Sequence, residues 1–141
     1  MSLVILIGRI LYALVFVGSG IVRHLVRMEE TSRYAASRGV PAATPLVLFS
    51  GLGIVAGGLG VGFGVWADLA VLGLVAYSLV AAVLVHHFWT DTDPVEQRHQ
   101  TSHFMKNLSM AGGGLVLFGF LVAAGPAVDF TITDPVWSFD L

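Results

Sequence analysis

The sequence predicts an all-α, polytopic membrane protein: a bundle of four transmembrane helices with a short interfacial helix in the first linker. Two observations lead to this fold class. Hydrophobic residues make up 56% of the 141 positions and charged residues only 11%, with a mean hydropathy of +0.86, whereas a soluble domain has about 25% charged residues. The apolar residues are also collected into four long runs, and most charged residues fall between them.

Each apolar run is long enough to cross a bilayer as a helix. The runs cover residues 3–22, 45–65, 69–85 and 108–124. A hydrocarbon core about 30 Å thick needs about 20 helical residues, and a helix satisfies its own backbone hydrogen bonds in lipid. Because the first run follows Met1 and Ser2 directly, without the basic start of a signal peptide, we expect it to remain as the first transmembrane helix.

Helix-end signals extend the fourth run toward its N-terminus. Asp93 is followed by Pro94 and, three residues after the aspartate, by Glu96, which is the pattern of a capped helix start. The fourth helix is therefore predicted to begin near Pro94 and to continue to Ala124, where Gly125 ends it.

The first linker and the C-terminal tail differ from the four runs in composition. Residues 33–38, followed by Gly39, include Tyr34 and two arginines and predict a short helix lying along the lipid headgroups. The chain is predicted to divide into a transmembrane domain, residues 1–125, and an extracytoplasmic tail, residues 126–141. The tail mixes aromatic and aliphatic residues with aspartates, so we expect it to fold back over the bundle or to dock on another protein.

The basic residues predict the topology. Every Lys and Arg except Arg9 lies in the first or third linker, and none lies in the second linker or the tail. Basic residues in short loops stay in the cytoplasm. Linkers one and three are therefore predicted to be cytoplasmic and both termini extracytoplasmic, in a multi-pass protein of the cell (inner) membrane.

Glycine is concentrated in the second helix. Gly53 and Gly57 stand four residues apart, as do Gly58 and Gly62, and the fourth helix adds a glycine triplet at residues 112–114. Small residues at this spacing let transmembrane helices approach closely. Two interpretations are open: tight packing inside one bundle, or the interface of a homo-oligomer.

Several short motifs occur in a defined order along most of the chain. They are Gly8-Arg9, Gly18-Ser19-Gly20 with Arg23, Tyr34 with Gly39-Val40-Pro41, the glycines at 57, 58 and 62, His86-His87-Phe88-Trp89, and Phe104 with Lys106-Asn107. In this order and spacing they resemble the DoxX family of small four-helix membrane proteins. That family more often has lysine where this chain has Arg23, a change that keeps the charge and alters the donor geometry. The resemblance implies a membrane protein linked with quinone and sulfur redox chemistry or with oxidative-stress complexes.

One charged residue lies well inside a predicted transmembrane helix. Arg9 is about 9 Å beyond Leu3 at 1.5 Å per residue, and an arginine buried in a membrane usually has a partner. Asp68, in the turn between the second and third helices, lies on the same side of the membrane. We predict an intramembrane ion pair between Arg9 and Asp68. The alternatives are that Arg9 snorkels to the headgroups and that Asp68 caps the third helix.

The five histidines are all expected at the cytoplasmic side, where they mark a candidate site. His86 or His87, together with Trp89, Arg23 and Lys106, would bind a quinone headgroup at the mouth of the bundle by donating hydrogen bonds to its carbonyls. The alternative is that these histidines are interfacial polar residues at the helix ends.

No metal site is predicted, although one weaker alternative exists at the same end of the bundle. His99 and His103 stand four residues apart and share a helical face, with Glu96 close to that face. Imidazoles that converge with a carboxylate can hold a metal ion. Haem would need two axial histidines on facing helices within the bundle, whereas these histidines lie toward the loops.

Composition and motifs exclude several classes of function. A net charge of −2 excludes a strongly basic nucleic-acid binder, the lack of cysteine excludes disulfides and thiolate metal sites, and no phosphate-binding loop or hydrolase motif is present. The expected partners are the lipid bilayer and other membrane subunits or a second copy. We expect an accessory or anchoring subunit of a respiratory or redox membrane complex, without catalysis of its own. The alternative is a small quinone-reactive membrane oxidoreductase.

Overall fold

A computed structural model describes residues 2–137, and all regular elements in that range are helical. The α-helices are α1 (Ser2–Ser19), α2 (Met28–Ser37), α3 (Ala43–Phe63), α4 (Ala67–Leu84) and α5 (Pro94–Ala124). A π-helix at Gly20–Val26 continues α1, and short 3₁₀ turns lie at Phe88–Thr90 and Gly125–Ala127.

Four helical segments are long and apolar enough to cross a membrane. They are Ser2–Val26, Ala43–Phe63, Ala67–Thr90 and Pro94–Ala127. In the most apolar stretch of each segment, only 22–28% of the residues are buried inside the protein, so most of their side chains face outward, as in a small bundle surrounded by lipid. The predicted fold class, an all-α bundle of four membrane helices, is confirmed.

α5 begins where the sequence predicts. The Asp93 carboxylate accepts hydrogen bonds from the backbone N–H groups of Val95 and Glu96, at 3.4 and 3.1 Å, and Pro94 occupies the first position, where no N–H is needed. With 31 residues, α5 is about 46 Å long, which exceeds the hydrocarbon thickness of about 30 Å. Its first turns therefore extend beyond the hydrocarbon and carry polar residues.

The interfacial helix α2 is longer than predicted. It begins at Met28 and not at residue 33, because Glu29 and Glu30 lie in its first turn, where negative charge is favoured. These two carboxylates also pair with Arg33 and Arg27. The buried face of α2 packs on the start of α3.

α3 is the central helix of the bundle. α1 packs on one of its sides, α4 on the other, and α5 packs on α4. Glycines permit both approaches: a Cβ at Gly58 would stand 2.7 Å from the Val17 side chain of α1, and one at Gly57 would stand 2.9 Å from Leu74 of α4. These two glycines therefore serve packing inside the bundle. Gly53 is different, because a Cβ there would have no neighbour within 4 Å.

The bundle has two chemically different ends. The Arg9 end contains the start of α1, the turn between α3 and α4, and the tail. The histidine end contains the π-helix, α2, the α4–α5 linker and the start of α5. Between them lies a narrow apolar core whose largest members include Phe16, Leu74 and Leu121.

Candidate functional site

Gln100 is the buried centre of a polar network at the histidine end. Its side chain, near the start of α5, is fully buried. The amide oxygen accepts a hydrogen bond from Nδ1 of His86 at 2.8 Å, and the amide nitrogen donates to the Tyr34 hydroxyl and to Oε1 of Glu96, each at 2.5 Å. Because an amide oxygen only accepts, Nδ1 of His86 carries the hydrogen. One side chain thus joins α2, the segment after α4, and α5.

Three of the five histidines form a row beside this network. The rings of His86 and His103 are stacked with centroids 4.9 Å apart, and the rings of His103 and His99 meet edge to face at 4.5 Å. Nε2 of His103 lies 3.2 Å from Nε2 of His99, so one of these nitrogens donates a hydrogen to the other.

Arg38 fastens α2 to the linker between α4 and α5. Its Nε donates to the carbonyl of Val85 at 2.9 Å, and Nη2 donates to the carbonyl of His87 at 3.3 Å. Nη1 and Nη2 also bind both carboxylate oxygens of Asp91, at 2.6 and 3.2 Å, a bidentate arrangement that combines charge with fixed geometry. The hydrogen bond to Asp91 raises the pKa of Arg38, and the same bond lowers the pKa of Asp91.

The Arg38–Asp91 pair predicts an acid-sensitive attachment of α2. Because the folded pKa of Asp91 is lowered, the pair contributes stability above the unfolded pKa of about 3.9. This contribution is lost as the pH falls through the folded pKa. Hydrogen–deuterium exchange of the α2 amides, corrected for intrinsic rates, should show protection near pH 6 that declines below about pH 4.

An Asp91→Asn variant is the control for this pH dependence. It should show weakened α2 protection already at pH 6 and a smaller further decline on acidification than the wild type. The amide does not titrate, so only the exposed pairs of Glu29 and Glu30 remain to be lost. Wild-type protection that stays constant from pH 6 to pH 3 would contradict the proposed dependence.

A cavity of about 310 Å³ lies beside the Arg38–Asp91 pair. It is lined by Arg38, Gly39, Val40, Pro41, Val83, Leu84, His87 and Trp89. Of the residues predicted to bind a quinone headgroup, the cavity brings together His87 and Trp89, whose rings are 6.1 Å apart. His86 is hydrogen-bonded to Gln100 instead. Arg23 and Lys106 are exposed and lie outside the cavity lining, so the predicted quinone-binding residues do not share one cavity.

The residues of the weaker metal alternative do not converge on one point. Glu96 accepts a hydrogen bond from Gln100, while His99 contacts His103. Within residues 2–137, no three His, Asp or Glu side chains are placed to hold a metal ion.

His24 lies inside the bundle and apart from the other histidines. It is only 7% exposed, with Nδ1 3.3 Å from the carbonyl oxygen of Ser19 and Nε2 3.1 Å from the hydroxyl of Tyr77 on α4. The π-helix carries this side chain, and π-helical turns often occur at functional sites. His24 is therefore a buried polar residue and not an interfacial one.

The predicted ion pair between Arg9 and Asp68 is not formed: no salt bridge among the described residues joins these two fully buried side chains. Arg9 donates instead to the carbonyls of Val61 at 2.9 Å, Gly62 at 3.1 Å and Phe130 at 3.1 Å. The first two belong to the last turn of α3, where carbonyls have no partner within the helix. The guanidinium finds enough acceptors there without a carboxylate.

The tail folds back over the Arg9 end as far as Trp137. The backbone N–H of Trp66 donates to the Thr133 hydroxyl at 2.7 Å, and the N–H of Trp137 donates to the Asp68 carboxylate at 2.9 Å. This agrees with the first of the two roles expected for the tail. Residues 138–141, also part of that expectation, lie outside the described residues.

Comparison with known proteins identifies the family. The sequence profile of the DoxX family matches residues 4–87, which is more than half of the chain. The chain belongs to the DoxX family. No curated protein and no solved structure gives a significant match.

The DoxX match covers α1 to α4 and ends at His87. The first part of the polar network, including Tyr34 and His86, therefore lies in the matched segment. Gln100, His99 and His103 lie on α5, beyond it. In this DoxX protein the network at the histidine end therefore joins helices covered by the family profile to α5, which the profile does not cover.

Sequence reasoning missed Gln100 and the Arg38–Asp91 pair. A signal for Gln100 was present: Asn107, Gly114 and Leu121 follow it at steps of seven, and all four are buried on α5, so the buried stripe of the membrane helix continues outward to a glutamine. No local pattern connects Arg38 with Asp91, because they lie in different linkers.

Proposed function

We propose that this DoxX protein is an accessory or anchoring subunit that associates within the bilayer with a respiratory or redox membrane complex and has no catalytic activity alone. The observation that supports this most is the α5 stripe, a row of exposed small residues on the outward face of α5. It consists of Ser109, Gly112, Gly119 and Ala123. Together with Val116, these residues recur at alternating intervals of three and four positions, so they lie along one face of the helix. The redox character of the partner is inferred from membership of the DoxX family.

The α5 stripe does not serve packing inside the protein. A Cβ at Gly112 or Gly119 would meet no atom within 4 Å, whereas one at Gly114 would collide with the Tyr12 hydroxyl. Glycine lowers helix stability by about 1 kcal/mol relative to alanine, so outward glycines destabilise the isolated bundle. A neighbouring transmembrane helix that approaches closely along the stripe supplies the contacts that offset this loss.

Leucine at both glycines of the stripe should separate the protein from its partner. After purification in mild detergent, native mass spectrometry of the wild type should detect additional subunits bound to the protein. In Gly112→Leu/Gly119→Leu the fraction of protein that carries these subunits should fall at least about tenfold, because the leucine side chains hold the helices apart. The unfolding temperature should not fall, since both positions are open and leucine favours the helix more than glycine does.

The matched control is Gly8→Leu/Gly18→Leu on α1, where added side chains are equally free of contacts. It should retain the assembly. A wild-type protein that is found alone under these conditions, or a stripe variant that keeps all its subunits, would argue against an accessory role.

A second candidate function is a small quinone-reactive oxidoreductase. The cavity beside Arg38 favours it, because the cavity combines the cation with His87 and the aromatic face of Trp89. About 310 Å³ is near the lower limit of small-molecule sites. Solvent extraction of the same purified preparations distinguishes the two functions, since stoichiometric quinone in protein that is otherwise alone supports the second.

We further propose that the histidine end faces the cytoplasm and that the tail, residues 126–141, is extracytoplasmic, following a transmembrane domain of residues 1–125. The distribution of charge supports this orientation. The histidine end contains six basic residues: Arg23, Arg27, Arg33, Arg38, Arg98 and Lys106. The charged residues of the tail are all aspartates. Basic loops favour the cytoplasmic side of the inner membrane.

A further inference from the structure

A groove lies on the outward surface between α3 and α4, separate from the α5 stripe and from the cavity beside Arg38. Its volume is about 280 Å³. Gly53 and Gly73 line it, and a Cβ at either position would have no neighbour within 4 Å. The groove exists because these two residues lack side chains, and its outward position opens it to the lipid.

The polar part of the groove lining comes from two hydroxyl residues, Ser50 and Tyr77. Both hydroxyls already have a partner within the protein. Ser50 donates to the carbonyl of Val47 at 3.1 Å, and the hydroxyl of Tyr77 lies 3.1 Å from Nε2 of His24.

The direction of the Tyr77–His24 hydrogen bond follows from the other nitrogen of the imidazole. Nδ1 of His24 lies 3.3 Å from the carbonyl oxygen of Ser19, which only accepts, so we assign the hydrogen to Nδ1. His24 is buried and has no carboxylate partner, which favours its uncharged imidazole. With the hydrogen on Nδ1, Nε2 of this ring is an acceptor. Tyr77 therefore donates its hydrogen to His24.

The fold holds His24 in this position by a close approach of two helices. A Cβ at Gly51 of α3 would collide with the Cβ of His24, so only glycine leaves room for the imidazole. The π-helix places His24 on the inner side of the first span, where it reaches Tyr77 of α4. His24 thus acts as a positioning residue for the tyrosine hydroxyl.

With both hydrogens directed into the protein, the hydroxyls of Ser50 and Tyr77 retain only lone pairs. We propose that the groove binds a lipid-soluble phenol or alcohol, which donates its hydroxyl hydrogen to the oxygen of Tyr77 and places its apolar part against Gly53 and Gly73. The volume has room for one ring and part of a chain, and the rest of the chain extends into lipid.

Photolabelling in lipid nanodiscs tests this site. The probe is an alkylphenol that carries a diazirine on its chain, and the competitors are 4-octylphenol and its methyl ether, 4-octylanisole. We expect labelled peptides from α3 and α4, with 4-octylphenol competing about three- to tenfold better than the ether, as one hydrogen bond predicts. In Tyr77→Phe the two competitors should become equal.

Variants of the groove itself keep the test decisive if Tyr77→Phe is poorly folded. Gly73→Leu fills the groove and should abolish labelling, while Gly8→Leu, at an equally open position on α1, should not. Equal competition by phenol and ether in the wild type, or labelling that survives Gly73→Leu, would overturn the proposal. A wild-type dimer in native mass spectrometry that Gly73→Leu converts to monomer would show that a second copy occupies the groove, and would also overturn it.

Two variants of His24 test whether its side chain orients the Tyr77 hydroxyl or only stabilises the fold. Glutamine at this position is able to donate to Ser19 and to accept from Tyr77, so His24→Gln should keep the preference for phenol over ether. Leucine removes the acceptor and frees the hydrogen of Tyr77 to donate, so His24→Leu should lose that preference. If both variants keep it, His24 does not direct the hydroxyl.

Discussion

Replacing Arg9 with methionine is expected to destabilise the Arg9 end by about 2–4 kcal/mol, because hydrogen bonds from a charged donor to carbonyls are among the stronger ones in proteins. The variant leaves the carbonyls of Val61 and Gly62 at the end of α3 without a donor, and it releases the carbonyl of Phe130 in the tail. The same change should therefore loosen the tail around Phe130, while the bonds of Thr133 to Trp66 and of Trp137 to Asp68 remain.

Two measurements check the effect of Arg9→Met. Thermal unfolding in detergent reports the loss of stability. Because the chain has no cysteine, a single Val128→Cys substitution, at a tail position only 7% exposed, reports the accessibility of the tail by its rate of thiol labelling. This rate should rise in the variant.

The control for Arg9→Met is Ile10→Met, the adjacent position, which is exposed on the outward face of α1 and should change neither measurement. Arg9→Lys should be intermediate, since an ammonium lacks the planar fork that reaches several carbonyls at once. If Arg9→Met has the same labelling rate and the same unfolding temperature as the wild type, the arginine does not hold the tail.

Substituting alanine at Gly51 should have the second large effect. The added Cβ would collide with the Cβ of His24, and overpacking of this kind typically destabilises by about 1–3 kcal/mol. The π-helix that continues α1 must move away from α3 to relieve the collision, which separates His24 from Tyr77. A lower unfolding temperature is the expected result.

The matched control for this substitution is Gly53→Ala, two residues further along the same helix. Its Cβ would have no neighbour within 4 Å, so alanine should be neutral or stabilising by up to about 1 kcal/mol through helix propensity. Equal unfolding temperatures for the two variants would contradict the close packing of α1 on α3 at Gly51.

Much of the fold was predictable because each feature depends on local sequence. The four spans follow from uninterrupted apolar runs, since lipid tolerates no unpaired backbone. The start of α5 at Pro94 follows from the cap at Asp93, which acts within one turn. The start of α2 was predicted too late because the acidic residues Glu29 and Glu30 were not included in the helix.

The candidate site was less predictable because its contacts join distant segments. Arg38 and Asp91 meet across two linkers, and Tyr34 reaches Gln100 from a different helix. Arg9 was expected to need a carboxylate, and the direct pair with Asp68 was wrong because the last turn of α3 and the tail together supply enough carbonyl acceptors. The proposed quinone site stays a prediction, as does the weaker metal alternative.

The sequence by itself determined that this chain is a four-helix membrane protein with an interfacial helix and with its histidines and basic residues concentrated toward one end, because hydropathy, helix caps and charge act over short distances. Only the tertiary structure decided which glycines pack inside and which face lipid, where Arg9 finds its acceptors, and that His24 meets the hydroxyl of Tyr77. Each of these depends on the rotation of one helix about its axis relative to its neighbour. A helix that is apolar on all sides carries little information about that rotation in its own pattern.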